Sequence, residues 1–225
     1  MAFKGKVFAR KRGVVGIESA IVLIAFVIVA AALAFVVLNT GFSTTQKAKA
    51  TISSGLGEAS SALEIAGQAT AKGNTTALKL DAYTIPIKVA SGGSSVDIVA
   101  SKTAIKYFSK SVAYDNIYKG TLASGTFNDI DSALAAAKAQ SLISEIPGVG
   151  PGPGATSAVI YFTANSNNNA IIDSGELAIV LVAFKNADRP PTLDTVTAEV
   201  IVSSGAPLTV HRNVPTITYS VVNLG

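Results

Sequence analysis

The longest apolar stretch in the chain runs from Ala20 to Leu38, nineteen residues without a polar side chain. As an α-helix this stretch spans about 28 Å, close to the thickness of the hydrocarbon core of a membrane. Thirteen of the nineteen residues are Leu, Ile, Val or Phe. Their transfer into lipid is favourable by about 4–8 kcal/mol in total. The pattern therefore predicts a long hydrophobic helix near the N-terminus that inserts into a membrane.

Apolar residues continue at helical spacing beyond this run. The positions that recur every three or four residues are Ile52, Leu56, Ala59, Leu63 and Ala66. Such spacing is typical of one face of an amphipathic helix, which we expect to continue to about Ala71. Residues 14–72 are therefore predicted to form one N-terminal helix. Its second half either packs on its own domain or forms a stalk that contacts other subunits.

The periodicity changes after Leu78. Residues 83–89 alternate as a β-strand does, and Pro86 suggests an edge strand. Residues 96–108 are rich in β-forming side chains. Further strands are predicted at residues 158–163, 177–184, 195–202, 208–210 and 216–222.

Two other segments interrupt the strands. Residues 131–143 have helical composition, with Asp131 or Ser132 as a possible N-cap, and residues 147–154 form a loop rich in proline and glycine. About seven short strands at this spacing are typical of an antiparallel sandwich. We predict an α+β fold, in which the long N-terminal hydrophobic α-helix precedes an immunoglobulin-like antiparallel β-sandwich over residues 73–225.

Composition excludes several classes of protein. A hydrophobic fraction of 49% with 14% charged residues excludes a disordered chain. The absence of cysteine excludes disulfide scaffolds, cysteine–zinc sites and cysteine nucleophiles, and the one histidine, His211, excludes a multi-histidine metal site. Neither a Gly-x-Ser-x-Gly elbow nor a phosphate-binding or dinucleotide motif occurs. We therefore expect no catalytic residues and no enzymatic activity.

The positive charge is concentrated at the N-terminus. Five of the eighteen basic residues lie in the first thirteen positions, and the remaining 13 basic and 14 acidic residues leave a net charge of −1 from residue 14 onward. Nucleic-acid binding, which would require a basic face on a folded domain, therefore has no support. By the positive-inside rule, the basic leader stays in the cytoplasm and the C-terminal part faces outward.

Three interpretations fit a basic leader followed by an apolar run. A secretory signal has a shorter apolar core and a cleavage site just after it, whereas the best such site here, at Ala48–Ala50, lies ten residues beyond the run. A permanent membrane anchor explains the length and the charge but not the placement of Gly13 and Glu18. The third interpretation places a cut after Gly13, before the run, so that the hydrophobic helix stays on the mature protein.

The residues around Gly13 resemble a known family. Basic residues, Gly13 and the sequence VVGIE, followed by a long aliphatic run, are similar to the class III signal of type IV pilin-like proteins. Within that superfamily, GIESAIVLIAFVIVAAA resembles archaellins, the archaeal flagellins. The segments LTVHRNVP, from Leu208, and VNLG, at the C-terminus, are similar to the C-terminal parts of archaellins.

The resemblance implies a processing step and a partner. A membrane-embedded prepilin peptidase would cut between Gly13 and Val14, with Lys11 and Arg12 completing the cleavage motif. Residues 1–13 would then be a removable leader. The membrane and an assembly platform would hold the subunit before polymerisation.

The resemblance also implies a helical filament of identical subunits. Its core would be formed by bundled apolar helices, because many copies side by side hide a surface that no single copy hides. Residues 14–72 would form this core, and residues 73–225 would face outward. The core residues we expect are Ile21, Leu23, Ile24, Phe26, Ile28, Leu33, Phe35 and Leu38.

The function that follows is that of a structural subunit of the archaellum, the extracellular filament for swimming, reached by transit through the cytoplasmic membrane. The first alternative is an adhesive type IV pilin. A less favoured alternative is a membrane-anchored domain that binds a ligand at the cell surface. Motility and adhesion are not distinguished by these residues.

Glu18 has two interpretations. As the fifth residue after the predicted cut it is a carboxylate at a helix N-terminus, favoured by the helix dipole and kept wet at the membrane surface. Alternatively it pairs with the new α-amino group of Val14, on its own subunit or a neighbour. Such a partner is needed inside a filament, because an unpaired buried carboxylate is very costly.

Two loop segments carry further candidate chemistry. The segment from Asn165 to Glu176 is rich in oxygen ligands and suggests a structural calcium ion, with the candidates Asn167, Asn169, Asp173 and Glu176. Its spacing matches no EF-hand. Clusters of Asn and Ser between two strands are usually solvated turns. No other cofactor is expected. Asn74 begins the chain's only Asn-x-Ser/Thr sequon, a possible glycosylation site.

Overall fold

The first element of the computed structural model is a 49-residue helix, α1 (Arg12–Ser60). The structure describes residues 12–60 and 62–225, with side chains over 16–57 and 62–225. Lys11 of the predicted cleavage motif lies outside the described residues, as do the side chains of Arg12, Gly13 and Val14. No proline precedes Pro86 to interrupt the helix. The chain divides into two compact units between Ser54 and Gly55.

The prediction that the helix continues to residue 72 is wrong, because α1 ends at Ser60. Leu63–Ile65 and Thr70–Asn74 are strands, and the first pairs with Val89, Lys88 and Ile87. The helical spacing of Leu63 and Ala66 was therefore misleading. Gly55 and Gly57 weaken the end of the helix, and burial of Leu63 against the sheet outweighs local helix preference.

The second unit is a β-sandwich of three sheets. The strands are β1 (Leu63–Ile65), β2 (Thr70–Asn74), β3 (Lys79–Val89), β4 (Val96–Asp97), β5 (Ala104–Ser109), β6 (Ala113–Tyr114), β7 (Tyr118–Leu122), β8 (Ser157–Ala164), β9 (Ile171–Ile172), β10 (Leu177–Ala183), β11 (Thr195–Ile201), β12 (Leu208–Asn213) and β13 (Val221–Asn223). The largest sheet has the order β13-β2-β3-β10-β8-β7, with β1 also paired to β3. A four-stranded sheet has the order β12-β11-β5-β6, and β4 pairs with β9.

The main core lies between the seven-stranded and the four-stranded sheets. Tyr83, Ile85 and Ile87 alternate along β3 toward this core, as the two-residue period of a strand requires. Ile105 and Tyr107 of β5 are buried in the same cluster. Burial raises the pKa of Tyr83 and Tyr107 well above the ordinary value, so both phenols stay neutral inside the sandwich. The predicted helix-plus-sandwich architecture is confirmed.

The second face of the seven-stranded sheet is covered by α2 (Ile130–Ala139). Leu134 of this helix packs with Leu122, Tyr161 and Leu181 in a separate cluster. Strand β8 is therefore buried on both faces, which explains why its sequence is a continuous apolar run rather than an alternating one.

Three details of the predicted sandwich differ from the structure. The N-cap of α2 is Asp129, whose side chain accepts a hydrogen bond from the Ser132 N–H at 2.8 Å, and not Asp131 or Ser132. Strands β7 and β8 pair in parallel, because α2 and its loops supply the long crossover that a parallel pair needs. Residues 216–220 are not a strand, and β13 covers only Val221–Asn223.

The predicted edge position of Pro86 is also wrong. Strand β3 is paired on both sides, with β10 on one side and with β1 and β2 on the other. The proline lies opposite the gap between β1 and β2, where its carbonyl accepts the Ala66 N–H at 2.9 Å. A missing N–H is tolerated there because no ladder bond is required of it.

The proline- and glycine-rich loop over residues 147–154 packs against an ion pair. The Arg189 Nη1 atom lies 2.7 Å from Asp81 Oδ1, and the Asp81 side chain is buried. Gly148 has a φ of +77°, and a Cβ at this position would lie 2.0 Å from Asp81 Oδ2. Gly150 has a φ of +58°, but a Cβ there would meet nothing within 4 Å.

These two glycines form a matched pair for a stability test. We expect Gly150→Ala to lower the free energy of unfolding by about 1–2 kcal/mol, the cost of a left-handed backbone for alanine. Gly148→Ala should cost a further 1–3 kcal/mol or so, because the new methyl group must displace the Asp81 carboxylate. Chemical unfolding of the full chain in detergent measures both. Equal effects of the two substitutions would contradict the described packing of the loop.

Candidate assembly surface

The apolar side chains of α1 have no partner within the described chain. From Ile21 to Leu38, the large hydrophobic residues are 56–75% exposed. By length and composition this helix is able to cross a membrane, and none of its most apolar window is buried. A surface of this size in water would drive association. The first unit is therefore a surface that requires lipid or other protein around it.

The exposed residues are distributed around the helix and do not form a single stripe. Ile21, Val22, Leu23 and Ile24 are consecutive, so they point in four directions, and each is more than half exposed. A helix that is hydrophobic on all sides is a buried or membrane helix, whereas a helix docked on one surface has a polar face. A bundle of several copies, or lipid, matches this distribution.

Threonine side chains extend the buriable part of α1 beyond Leu38. The hydroxyl groups of Thr40, Thr44 and Thr45 each donate to the carbonyl four residues earlier, at 2.8 Å. Thr51 does the same at 2.9 Å. A hydroxyl satisfied within its own helix costs less to bury than a free one. Between Glu18 and Lys47 the sequence has no charged side chain.

Glu18 is the one acidic residue at the start of this surface. It is exposed and lies near Val22, Leu23 and Phe26, on successive turns of the helix. The carboxylate therefore borders the apolar region that would be buried in an assembly. The α-amino group that we expect at Val14 would lie one helical turn before it.

The residues predicted for the filament core all lie on this exposed surface. The least exposed of them is Ile24, at 57%, and the most exposed is Phe26, at 75%. The remaining six are Ile21, Leu23, Ile28, Leu33, Phe35 and Leu38. Their position in an assembly is a proposal that the single chain supports but does not test.

The oxygen-rich segment forms one closed loop between β8 and β10. Both carboxylate oxygens of the buried Glu176 accept backbone N–H groups, Oε1 from Ser166 at 2.7 Å and Oε2 from Asp173 at 3.0 Å. The Asn167 side-chain amide donates to Asp173 Oδ2 at 2.7 Å, and Asn169 Oδ1 accepts the Ile171 N–H. Hydrogen bonds thus link Glu176, Asp173 and Asn167, and the backbone N–H of the fourth candidate, Asn169, donates to Asn167 Oδ1 at 3.1 Å.

The loop has a regularity of EF-hand spacing, contrary to the expectation above. Counted from Asn165, its oxygen-bearing residues stand at positions 1, 3, 5, 9 and 12, which is the spacing of EF-hand ligands. Alanine occupies the sixth position, where an EF-hand has glycine. No group of three His, Cys, Asp or Glu side chains suited to a metal occurs in the described residues, so asparagine oxygens would have to contribute. Calcium at this loop stays a prediction.

The other candidate residues lie on the surface of the sandwich. The Asn74 Oδ1 atom accepts the N–H groups of Thr76 and Ala77 at 3.1 and 2.9 Å, which closes the turn after β2. His211 is exposed on β12, with its Nδ1 atom 2.8 Å from Thr197 Oγ1 of the neighbouring strand. This cross-strand pair accounts for the histidine structurally.

A helix that a single chain leaves uncovered, joined to an independently packed β-sandwich, defines a class of proteins that are held in lipid or in an assembly through the helix. The family model described as archaeal-type flagellin matches residues 13–212. Probable flagellin 1 of Aeropyrum pernix is 39% identical over 92% of this chain and 93% of its own length. The chain therefore belongs to the archaeal-type flagellin family. The predictions of a structural filament subunit and of no enzymatic activity are confirmed by this membership.

Two solved structures share the fold. The archaeal flagellum of Methanospirillum hungatei aligns with a TM-score of 0.59 and 20% identity, covering 93% of this chain and 99% of that chain. A crystal structure of an archaeal flagellin from Methanocaldococcus jannaschii gives a TM-score of 0.58 at 18% identity, covering 73% of this chain and 96% of that chain. Both combine with the family match to confirm the predicted fold class.

The carboxylate of Glu176 provides a test of the oxygen-rich loop. Glu176→Gln replaces one acceptor of a backbone N–H by an amide group, so we expect the free energy of unfolding to fall by about 1–3 kcal/mol. Asp173→Asn is the matched control and should change it by less than about 0.5 kcal/mol, since Asp173 accepts only a side-chain amide and asparagine keeps an acceptor. Thermal unfolding of the full chain in detergent measures the difference.

The same experiment tests calcium binding. Calcium chloride, compared with a chelator, should raise the Tm of the natural chain and have a smaller effect on Glu176→Gln, because a ligand that binds only the folded state stabilises it. A Tm that does not respond to calcium would contradict the prediction of a structural ion.

Proposed function

We propose that this chain is the swimming-filament subunit of an archaellum, and that it polymerises outside the cell through α1. The observation that carries this proposal is the exposure of every large apolar side chain from Ile21 to Leu38 in the single chain. A helical filament buries this surface by repeating one heterologous contact, which closes no ring. The flagellin names of the relatives are consistent with such a filament.

The subunit passes through a membrane state before assembly. In that state lipid surrounds α1, the basic residues 1–13 remain in the cytoplasm, and the sandwich faces outward. Small residues along the helix, Ala25, Ala30 and Ala34 among them, allow close approach between helices when copies leave the lipid for the filament. Transfer from lipid to protein neighbours keeps the apolar surface out of water throughout. An assembly platform in the membrane is the partner of this step.

A prepilin peptidase removes residues 1–13 before assembly. The cut after Gly13 removes all five leader charges and creates an α-amino group on Val14. Burial of those charges in a filament axis would be prohibitive without partners. Processing therefore makes the apolar helix compatible with a bundle of copies. The outward part, from about residue 73, displays the sandwich on the filament surface.

Asn74 is a possible attachment point for a glycan on this surface. Its Oδ1 atom accepts two backbone N–H groups of the turn, and the side-chain nitrogen takes no part in these two hydrogen bonds. The sequon lies in the turn between β2 and β3, whose residues 75–78 are exposed.

The processing step gives a direct prediction. N-terminal sequencing and intact mass of purified filaments should place the mature N-terminus at Val14. Gly13→Val should leave the precursor uncut in the membrane, because a β-branched side chain replaces the residue that fits the peptidase. Gly16→Val, three residues further on, is the control and should still be cut. A mature chain that begins at Met1 or after Ala50 would contradict the proposal.

Glu18 gives a second prediction, because its carboxylate borders the surface to be buried. Glu18→Ala should still insert and be cut, since alanine suits both lipid and helix, but the processed subunit should assemble poorly. Loss of one partner from a buried charge pair typically costs about 3–5 kcal/mol per subunit. Filament yield and the processed fraction in the membrane are measured together.

Glu58→Ala is the matched control, since it removes the glutamate near the other end of α1 and should leave assembly intact. Normal filament yield from Glu18→Ala would show that Glu18 is a solvated residue at the end of a helix and has no part in a charge pair. Loss of cutting would instead assign it to recognition by the peptidase.

A further inference from the structure

Two exposed leucines lie in neighbouring turns of the sandwich. Leu78 is 52% exposed and Leu193 is 76% exposed. Their turns are neighbours, because Lys79 forms a β-bridge with Pro191 and the Leu80 N–H donates to the Pro190 carbonyl at 3.0 Å. We call Leu78 and Leu193 the leucine knob.

Both leucines also have a strained backbone. Leu78 has a φ of +51° and Leu193 a φ of +65°, values at which turns ordinarily have glycine or asparagine. The backbone of Leu193 is fixed on both sides, since its N–H donates to the Val214 carbonyl at 2.9 Å and its carbonyl accepts Lys110 Nζ at 3.1 Å. Each leucine is exposed to solvent and has a strained backbone, and the two occur in adjacent turns. Such strain is kept where the side chain has a function, so we infer that these side chains bind another surface.

A recess of complementary character lies elsewhere on the same unit. It has a volume of about 370 Å³ and is lined by residues of β2, β13 and the start of α2. Ile130 and Val221 contribute apolar surface to it, and Val221 is 65% exposed. Leu78 and Leu193 do not line this recess, so the leucine knob and the recess are separate surfaces.

The charges around the two surfaces are opposite. Lys79 and the exposed Lys110 flank the leucine knob, while the buried Asp194 lies beside it with its carboxylate bonded to the Thr195 N–H. Asp129 and Asp131 stand at the rim of the recess.

Within the recess, Lys72 pairs with Asp131, and Asp129, which caps α2, is the acidic group that has no basic side chain paired with it there. The Ser132 N–H lowers the pKa of Asp129, so this rim stays negative at neutral pH. Basic surroundings on the leucine knob thus match an acidic rim on the recess.

We propose that the leucine knob of one copy docks into the Ile130–Val221 recess of a neighbouring copy in the filament. This proposal rests on the filament function proposed above. The two surfaces consist of different residues, so the contact is heterologous and is able to repeat without closing. Because α1 holds neighbouring copies together, the leucine knob and the recess are present at a high effective concentration. A contact too weak to form between free subunits is then able to form in the filament.

Disulfide cross-linking tests the contact. Because the natural chain has no cysteine, every disulfide must come from the introduced residues. Leu193→Cys is combined with Val221→Cys in the full chain, and filaments are oxidised and examined on a denaturing gel without reductant. We expect a ladder of covalent multimers. The matched control combines Leu193→Cys with Val99→Cys, another exposed apolar position, and should give no ladder.

Electron microscopy of the natural chain is done first, since absence of filaments would contradict the filament function itself. Filaments of the Leu193→Cys, Val221→Cys variant without a ladder, or with dimers alone, would overturn only the docking proposal. A ladder from the control would do the same.

A second variant removes the leucines without adding cysteine. Leu78→Asn with Leu193→Gly relieves backbone strain, since asparagine and glycine tolerate a left-handed conformation and neither substitution creates an Asn-x-Ser/Thr sequon. We expect filaments of this variant to dissociate at a lower temperature, although the detergent-solubilised monomer unfolds at the same or a higher temperature. An unchanged dissociation temperature would contradict the contact.

Discussion

The structure depends on one constraint, the apolar surface of α1 that the chain itself leaves uncovered. Residues 21–38 present hydrophobic side chains in every direction, and the described chain buries none of them. Burial of apolar area is the dominant favourable term in folding and association, so this surface determines where the protein is stable. In the function proposed above, lipid covers this surface before assembly and copies of the same helix cover it afterward. The four back-bonded threonines from Thr40 to Thr51 extend the same property along the helix.

The sandwich is built to be independent of that constraint. Its two clusters bury Tyr83, Tyr107 and Phe162 between the sheets and Leu134 and Tyr161 under α2. The polar groups buried at one end are paired, Asp81 with Arg189, and Asp188 with Tyr114 and Thr156. A unit with its own core stays folded whatever surrounds α1, as the proposed transfer from membrane to filament requires.

The sequence predicted what local pattern controls and failed where distant pairing decides. Alternation identified β3, the strands β10 and β11 were also predicted from the sequence, and the apolar run identified α1 and its candidate core residues. The end of α1 was misplaced because Leu63 and Ala66 fit a helical seam, although their partners, Val89 and Pro86, lie 26 and 20 residues away. The internal position of Pro86 depends on a gap between two other strands. The leucine knob was invisible because exposure and positive φ are properties of the fold.

The central claim is that α1 is buried among copies in the filament, and the most direct measurement is the labelling rate of a single cysteine in its apolar stretch. Ala31→Cys introduces a thiol with little change in size, and Ser124→Cys places one in an exposed loop of the sandwich. The account predicts that a maleimide labels Ser124→Cys in intact filaments but leaves Ala31→Cys unlabelled until the filaments are dissociated in guanidinium chloride. Equal labelling of both positions in intact filaments would contradict it.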